Sequence, residues 1–316
     1  MTPDDLTPAL THWRETASGR PVLINLSENH TFRIDGADGA RHILRVHRPG
    51  YQSRAAIRSE LEWLEALRRD TGMPVPRPLP GRDGDLVQQI DSSVGPRFAV
   101  LFAFEPGREP QPDDDLDHLF GTIGGFAATA HLHAMRFAPS AAFTRQSWSA
   151  GAILDPTGRW GDWRQAPHVE GKVARQLDSL DARLRDDLAA YGQGPDRFGL
   201  IHADMRLANL LVDGERVTLI DFDDAGLCWF MYDFAAAISF HEEHPHAGQW
   251  RQAWLDGYQR IRPLADADRR AIDTMILLRR MALLAWIGSH AETDLAQSVA
   301  PQFAAGTVRL AEAYLR

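Results

Sequence analysis

The second half of this chain is written mostly in helical periodicity, and one stretch breaks it. Residues Phe198 to Phe222 read as a β-rich island. Its order is Leu200-Ile201-His202-Ala203-Asp204-Met205-Arg206-Leu207-Ala208-Asn209-Leu210-Leu211-Val212, a turn at Asp213-Gly214, then Val217-Thr218-Leu219-Ile220-Asp221-Phe222-Asp223. A two-residue hairpin brings the start of one strand beside the end of the next. Asn209 enters the first strand and Asp221 leaves the second, so the two are expected side by side. Asp204, in a segment that is neither regular helix nor strand, is expected at the rim of the space they share.

These side chains have a common chemistry. An amide oxygen and a carboxylate are hard donors suited to magnesium, which also keeps waters or phosphate oxygens. A further carboxylate nearby can accept the proton of a hydroxyl nucleophile. Together these are the parts that phosphoryl transfer requires. One Asp at a strand end is ordinarily a turn or cap residue, and His-x-Asp alone says little. The joint pattern of His202, Asp204, Asn209, strand, hairpin and Asp221-Phe222 is far more specific.

The segment resembles the catalytic and metal-binding loops of the aminoglycoside phosphotransferase superfamily. That group includes type II homoserine kinases, choline kinases and a bacterial stress-response Ser/Thr kinase, and it shares its fold with protein kinases. Kinases write the two loops H-R-D-x-x-x-x-N and D-F-G. Here Ala203 replaces the Arg and Asp223 replaces the Gly. The resemblance implies Asp204 as catalytic base, Asn209 and Asp221 as Mg2+ ligands, ATP as donor, and a structural, loop-bracing His202. It also implies that Asp233, in Tyr232-Asp233-Phe234-Ala235, steadies the catalytic loop. Gly257-Tyr258-Gln259-Arg260-Ile261-Arg262-Pro263 is similar to type II homoserine kinases.

The first hundred residues read as strands around one helix. Val22–Leu26, Thr31–Ile34 and His42–Val46 are β-like, the last two separated by turn residues Asp35-Gly36-Ala37-Asp38-Gly39. Leu86–Ile90 and Phe98–Phe104 add two more. Ile57, Leu61, Leu64 and Leu67 define a helix from about Arg54 to Arg69. Pro74, Pro76, Pro78 and Pro80 keep Met73 to Pro80 extended. Glu60 falls on the apolar helix face with Ile57, Trp63 and Leu64, and a carboxylate there needs a cation. Family resemblance points to Arg45 in the strand Ile43-Leu44-Arg45-Val46, as the nucleotide-phosphate cation paired to Glu60. No G-x-G-x-x-G loop is present. The polar turn Ser27-Glu28-Asn29-His30 stands in its place, and Ser27, Asn29 and nearby backbone amides are expected at the phosphates, with a plain hairpin turn as the other reading.

Beyond Glu105-Pro106-Gly107 the chain turns helical, at Leu116 to Ala134, Glu170 to Tyr191, Asp266 to Ile287 and Phe303 to Leu315. The expected fold is therefore α+β and bilobal, protein-kinase-like. A small antiparallel-sheet lobe over residues 1–104 binds nucleotide, and a larger helical lobe over 105–316 carries catalysis and substrate. A chain of 316 residues exceeds what one core usually spans.

Other classes are disfavoured by composition. A net charge of -9 without clustered Lys and Arg argues against nucleic acid, and it tolerates a cationic substrate. Cys228 is the only cysteine, which excludes an internal disulfide. Met1 to Leu10 does not read as a signal peptide, and apolar runs are too short for a membrane span. A cytoplasmic protein is expected, with its oligomeric state open. His241, His244 and His246, with Glu242 and Glu243, read as a solvated loop, less readily as an acidic rim facing substrate or a zinc site. Asp113 to Asp115 offset a helix dipole. Trp148, Trp160, Trp163 and Trp229 either pack in a core or wall a pocket. The leading function is a kinase of a small-molecule hydroxyl. The alternatives are a protein Ser/Thr kinase of the stress-response type and a nucleotide-binding module without turnover.

Overall fold

A computed structural model describes residues 3–16, 19–26, 29–36, 39–92, 95–111 and 114–316. In chain order the elements are α1 (Pro3–Leu6), β1 (Arg20–Leu26), β2 (Asn29–Asp35), β3 (Arg41–His47), α2 (Arg54–Thr71), β4 (Pro78–Leu79), β5 (Gln88–Ile90) and β6 (Arg97–Ala103). There follow α3 (Leu116–Ala134), α4 (Ala150–Leu154), α5 (Gly171–Tyr191), β7 (Phe198–Ile201), β8 (Leu210–Asp213), β9 (Arg216–Leu219) and β10 (Gly226–Trp229). The chain closes with α6 (Tyr232–Ala237), α7 (Ala247–Gln259), α8 (Asp266–Ser289) and α9 (Asp294–Tyr314). This is the expected α+β plan, an antiparallel sheet early and helices after it. The chain divides into two compact units that interleave along the sequence. One comprises Met1–Glu109, Phe137–Arg145 and Leu210–Asp223; the other comprises Pro110–Arg136, Gln146–Asn209 and Asp224–Arg316.

The first unit is built on an antiparallel sheet in the order β1-β2-β3-β6-β4, with β5 also paired to β6. Alternation along the strands buries Phe32, Ile34, Leu44, Val46, Ala99 and Leu101 in one cluster with Leu6, Leu10 and Trp13. The same alternation turns Arg45 and His47 to the other face. Strand β3 is interior, with Arg45 opposite Thr31 on β2 and Val100 on β6. Helix α2 starts where the Ser53 hydroxyl accepts the Ala56 N–H, and stops at Gly72, whose φ is 68°. Ile57, Leu61, Trp63, Leu64, Leu67 and Glu60 are its buried residues in common with the sequence reading. The proline run is extended, and β4 within it lies at the sheet edge, where a residue without an N–H is tolerated. The expected hairpin β8–β9 forms, with Leu210 opposite Leu219 and Asp213 opposite Arg216, so its turn is Gly214-Glu215, one residue later than the Asp213-Gly214 turn read from sequence. Ala37 and Asp38 of the expected turn, Asp113 and Ser27 lie outside the described residues.

In the second unit α3 and α7 approach so closely that only glycine fits. A Cβ on Gly257 would lie 1.9 Å from the Gly121 carbonyl oxygen, and one on Gly124 would lie 2.1 Å from that of Trp254. Helix α7 and strand β10 were not among the expected elements. Trp250, Trp254 and Tyr258 recur every fourth residue and are buried, a period obscured by the polar lead-in from His241. Strand β10 has four residues and exists by pairing with β7. Helix α9 begins at Asp294, nine residues before the expected start, and continues through Pro301. The four tryptophans left open between core and pocket are interior: Trp148, Trp160, Trp163 and Trp229 are 1%, 7%, 0% and 1% exposed. Among the described residues, no helix is long and apolar enough to cross a membrane.

Candidate active site

In the second unit β7 ends at Ile201, and the chain turns through His202 and Ala203. Ala203 has φ 67°, a left-handed conformation that costs an L-residue free energy and persists only where the surroundings hold it. The Asp233 carboxylate does this, accepting the Ala203 N–H at 2.8 Å and the His202 N–H at 3.4 Å. Asp233 lies within the first turn of α6, is fully buried, and accepts at 2.9 Å from His131 Nε2. The His131 Nδ1 lies 2.9 Å from the Tyr258 hydroxyl, which accepts from Arg262 at 2.7 Å. Asp233 is thus a brace and not a helix cap. His202 is also structural, its Nδ1 accepting the Asp204 N–H at 3.2 Å.

Asp204 leaves this turn with both oxygens engaged. Oδ1 accepts from Arg279 at 2.5 Å; Oδ2 accepts from Asn209 Nδ2 at 2.7 Å and from Arg206 Nε at 3.2 Å. Asn209 closes a short 3-10 turn over Leu207–Asn209 and donates also to the Asp204 carbonyl at 2.8 Å. Burial would raise the Asp204 carboxyl pKa, but Arg206, Arg279 and His202 outweigh it and hold the group at about 2. Asn209 donates through its nitrogen in both bonds, so its amide oxygen, the atom a hard cation takes, is not spent on them.

In the first unit Arg45 is 6% exposed and Glu60 is 1% exposed. Arg45 Nη2 donates to Glu60 Oε1 at 2.6 Å, the expected pair. Arg45 Nη1 lies 3.5 Å from Asp221 Oδ1. Asp221 follows β9 with φ 63° and a side chain 46% exposed. Burial raises the Glu60 pKa, and Arg45 offsets only part of that. Asn29, expected at phosphate oxygens, donates instead to Asp223 Oδ2 at 2.9 Å, and its oxygen accepts the Arg48 N–H at 3.4 Å. The Asp223 carbonyl accepts from Gln52 at 3.1 Å and from Arg145. Burial pushes the Asp223 carboxyl up, yet Arg45, His47 and Arg145 bring it below the usual range. The adjacent His47 is driven down to about 3, chiefly by burial and by Arg45.

The structure therefore joins Asp204 to Asn209 in one unit, and Arg45 to Glu60 and Asp221 in the other. Sequence reasoning missed Arg279, Arg206 and His131 around the loop, and Asp223 as the partner of Asn29. One signal was present: Arg279 and Arg280 interrupt the apolar run of α8, where unpaired charge is costly. Among the described residues no group of three or more His, Cys, Asp or Glu could hold a metal ion. In the loop from His241, His244 stacks on Trp250 with ring centroids 4.4 Å apart. Glu242 pairs with Arg280 at 2.8 Å and Glu243 with Arg309 at 2.7 Å.

Comparison with known proteins identifies the family and the fold. The family model described as the phosphotransferase enzyme family (APH) matches residues 22–272. Amicoumacin kinase of Bacillus subtilis (strain 168) is 25% identical over 268 residues, 81% of this chain and 76% of that protein. The structure of the microcompartment-associated aminopropanol kinase superposes with a TM-score of 0.90 at 42% identity, covering 98% of this chain and 96% of that one. Amicoumacin kinase hAmiN, in complex with AMP-PNP, Ca2+ and Ami, shares the fold, with a TM-score of 0.78 at 19% identity over 96% and 92%. The chain belongs to the phosphotransferase enzyme family, as a small-molecule kinase with the protein-kinase-like fold.

Proposed function

We propose that this kinase moves the γ-phosphoryl group of magnesium-bound ATP to the hydroxyl of a small amino alcohol. The observation that carries the acceptor class is the 42% identity, over 98% of the chain, with an aminopropanol kinase. The net charge of -9 is compatible with an acceptor bearing an ammonium group.

In this reading Asp204 accepts the hydroxyl hydrogen of the acceptor. A carboxylate held at about 2 is a weak proton store. It therefore orients the hydroxyl, and takes the proton as the new bond to phosphorus forms in a loose transition state. Asn209, through its amide oxygen, and Asp221 would hold the magnesium ion. That ion supplies neutralisation of charge on the phosphate oxygens. Arg45, its fork fixed by Glu60, would contact the nucleotide phosphates. Ser27 and neighbouring backbone amides would add hydrogen bonds there. Asn29 would act through Asp223, anchoring the start of β2. The division into a nucleotide lobe over 1–104 and a catalytic and substrate lobe over 105–316 belongs to the same proposal.

The test is product formation from ATP and Mg2+ with a panel of aminopropanol, ethanolamine, homoserine, choline, plain propanol and a generic protein substrate. Phosphomonoester is expected from an amino alcohol and not from propanol. Labelling of the protein substrate alone would replace this reading with a protein kinase. A thermal shift with Mg-ATP and no product from any acceptor would support a binding module without turnover.

A further inference from the structure

Helix α8 carries two adjacent arginines, Arg279 and Arg280, each 3% exposed, within the apolar run Met275 to Ile287. A buried guanidinium needs partners, and successive residues on a helix point about 100° apart, so the two serve different places. Arg280 ties helices together: it donates to Glu242 at 2.8 Å, Thr307 Oγ1 at 2.9 Å and the Phe303 carbonyl at 2.9 Å. Arg279 goes to the catalytic loop. Its Nη2 donates to Asp204 Oδ1 at 2.5 Å, its Nη1 to the Ala203 carbonyl at 3.3 Å, and its Nε to Ser239 Oγ at 3.2 Å. The rings of Trp160 and Tyr232 flank the guanidinium at 5.7 and 5.8 Å.

We propose that Arg279 is a positioning residue for phosphoryl transfer, holding the Asp204 carboxylate and the strained Ala203 peptide in the orientation the acceptor hydroxyl meets. The inference rests on the assignment of Asp204 proposed above. The Ala203 peptide is gripped from both sides: Asp233 takes its N–H at 2.8 Å and Arg279 donates to its carbonyl. One planar fork reaches both that carbonyl and the carboxylate, so the rotation of Asp204 is coupled to the backbone turn before it. An ammonium on a flexible stem lacks this geometry. Arg206 also reaches Asp204, but from a side chain 29% exposed, whereas the Arg279 side chain is 3% exposed and is anchored on Ser239. The buried cation therefore sets the direction.

Arg280, one residue along the same helix, supplies the internal control. Steady-state kinetics with ATP and aminopropanol should be measured on the full chain for Arg279→Met, Arg279→Lys, Arg280→Met, Asp204→Asn and the double variant Arg279→Met/Asp204→Asn. Misplacing a reacting group by about 1 Å costs on the order of 100-fold. Arg279→Met is expected to lower kcat by about that factor, with the KM for ATP little changed. Arg279→Lys should lose nearly as much despite keeping the charge. Arg280→Met should lower the melting temperature and leave kcat near the parent value. The double variant should be no slower than Asp204→Asn, because both act at one carboxylate. A folded Arg279→Met or Arg279→Lys enzyme with parental kcat, while Asp204→Asn is inactive, overturns this inference alone. Multiplicative losses in the double variant overturn it as well. Parental turnover in Asp204→Asn removes instead the assignment of the base. Should Arg279→Met fail to fold, Arg279→Lys and the double-variant comparison made with lysine decide.

Discussion

Each unit of the molecule buries an arginine against a carboxylate that the proposed chemistry uses, and these two pairs have opposite electrostatic outcomes. Arg45 and Glu60 join a strand to a helix at 2.6 Å; Arg279 and Asp204 join a helix to a loop at 2.5 Å. Burial penalises the charged carboxylate in both. Glu60 has Arg45 as its close cation, Arg145 as a weaker one and Asp223 as an opposing negative charge, and burial leaves its pKa raised. Asp204 is surrounded by Arg206, Arg279 and His202, and its carboxyl is held at about 2. The difference shows that burial does not set the proton affinity by itself: the balance of neighbouring charges decides. It also fits the separate tasks proposed. Glu60 serves to place a cation, whereas Asp204 is the group served by cations.

The largest test of this contrast is removal of the cation from the first pair. Arg45→Met leaves Glu60 buried without its partner, which costs roughly 3–5 kcal/mol for such pairs. The loss of the proposed phosphate contact of Arg45 is expected to add an increase in the KM for ATP of about 10- to 100-fold. In the double variant Arg45→Met/Glu60→Leu, chemical denaturation should recover most of the stability, while ATP affinity should stay poor. A double variant no more stable than Arg45→Met would show that the pair is not self-contained.

A smaller effect sharpens the account of the loop brace in the second unit. His131 is buried against Asp233 and Phe230, with Arg262 near, and burial is the main cause of its lowered pKa. The folded protein keeps this ring neutral where the unfolded chain, near 6.5, takes up a proton. Stability linked to His131 is thus present above about pH 6.5 and is lost as pH falls towards the folded value, by up to about 1.4 kcal/mol per unit. Unfolding free energies of the parent and His131→Asn, measured at pH 7.5 and 5.5, should converge at the lower pH. A constant gap between them would mean that His131 is not neutral in the fold.

The smallest effect is expected at the surface pair Arg164–Asp178, separated by 2.7 Å with side chains 39% and 52% exposed. Water screens such a pair, and Asp178→Asn should change stability by about 1 kcal/mol or less. A larger loss would mean that exposure is a poor guide to the worth of an ion pair here, and would weaken the contrast drawn between the buried ones.

Much of the plan could be read from local pattern. The bounds of α3 and the start of α2 agree with the periodic reading, because apolar spacing and caps are properties of a few consecutive residues. Glu60 was identifiable because a carboxylate at a buried helical position demands a cation. Strand β10 was not identifiable, since four residues become a strand only by pairing with β7. Asn29 was expected to face a ligand and bonds to Asp223, 194 positions away.

By itself the sequence determined the succession of a strand-rich part and a helical part, the irregular segment around Asp204 and the presence of a charge wanting a partner on α2. Tertiary structure alone decided which charges meet: Arg279 is 75 positions from Asp204, and His131 is 102 from Asp233. Local periodicity records which face of an element is buried. It carries no information on which distant segment packs there, because that is chosen by the closure of the whole core.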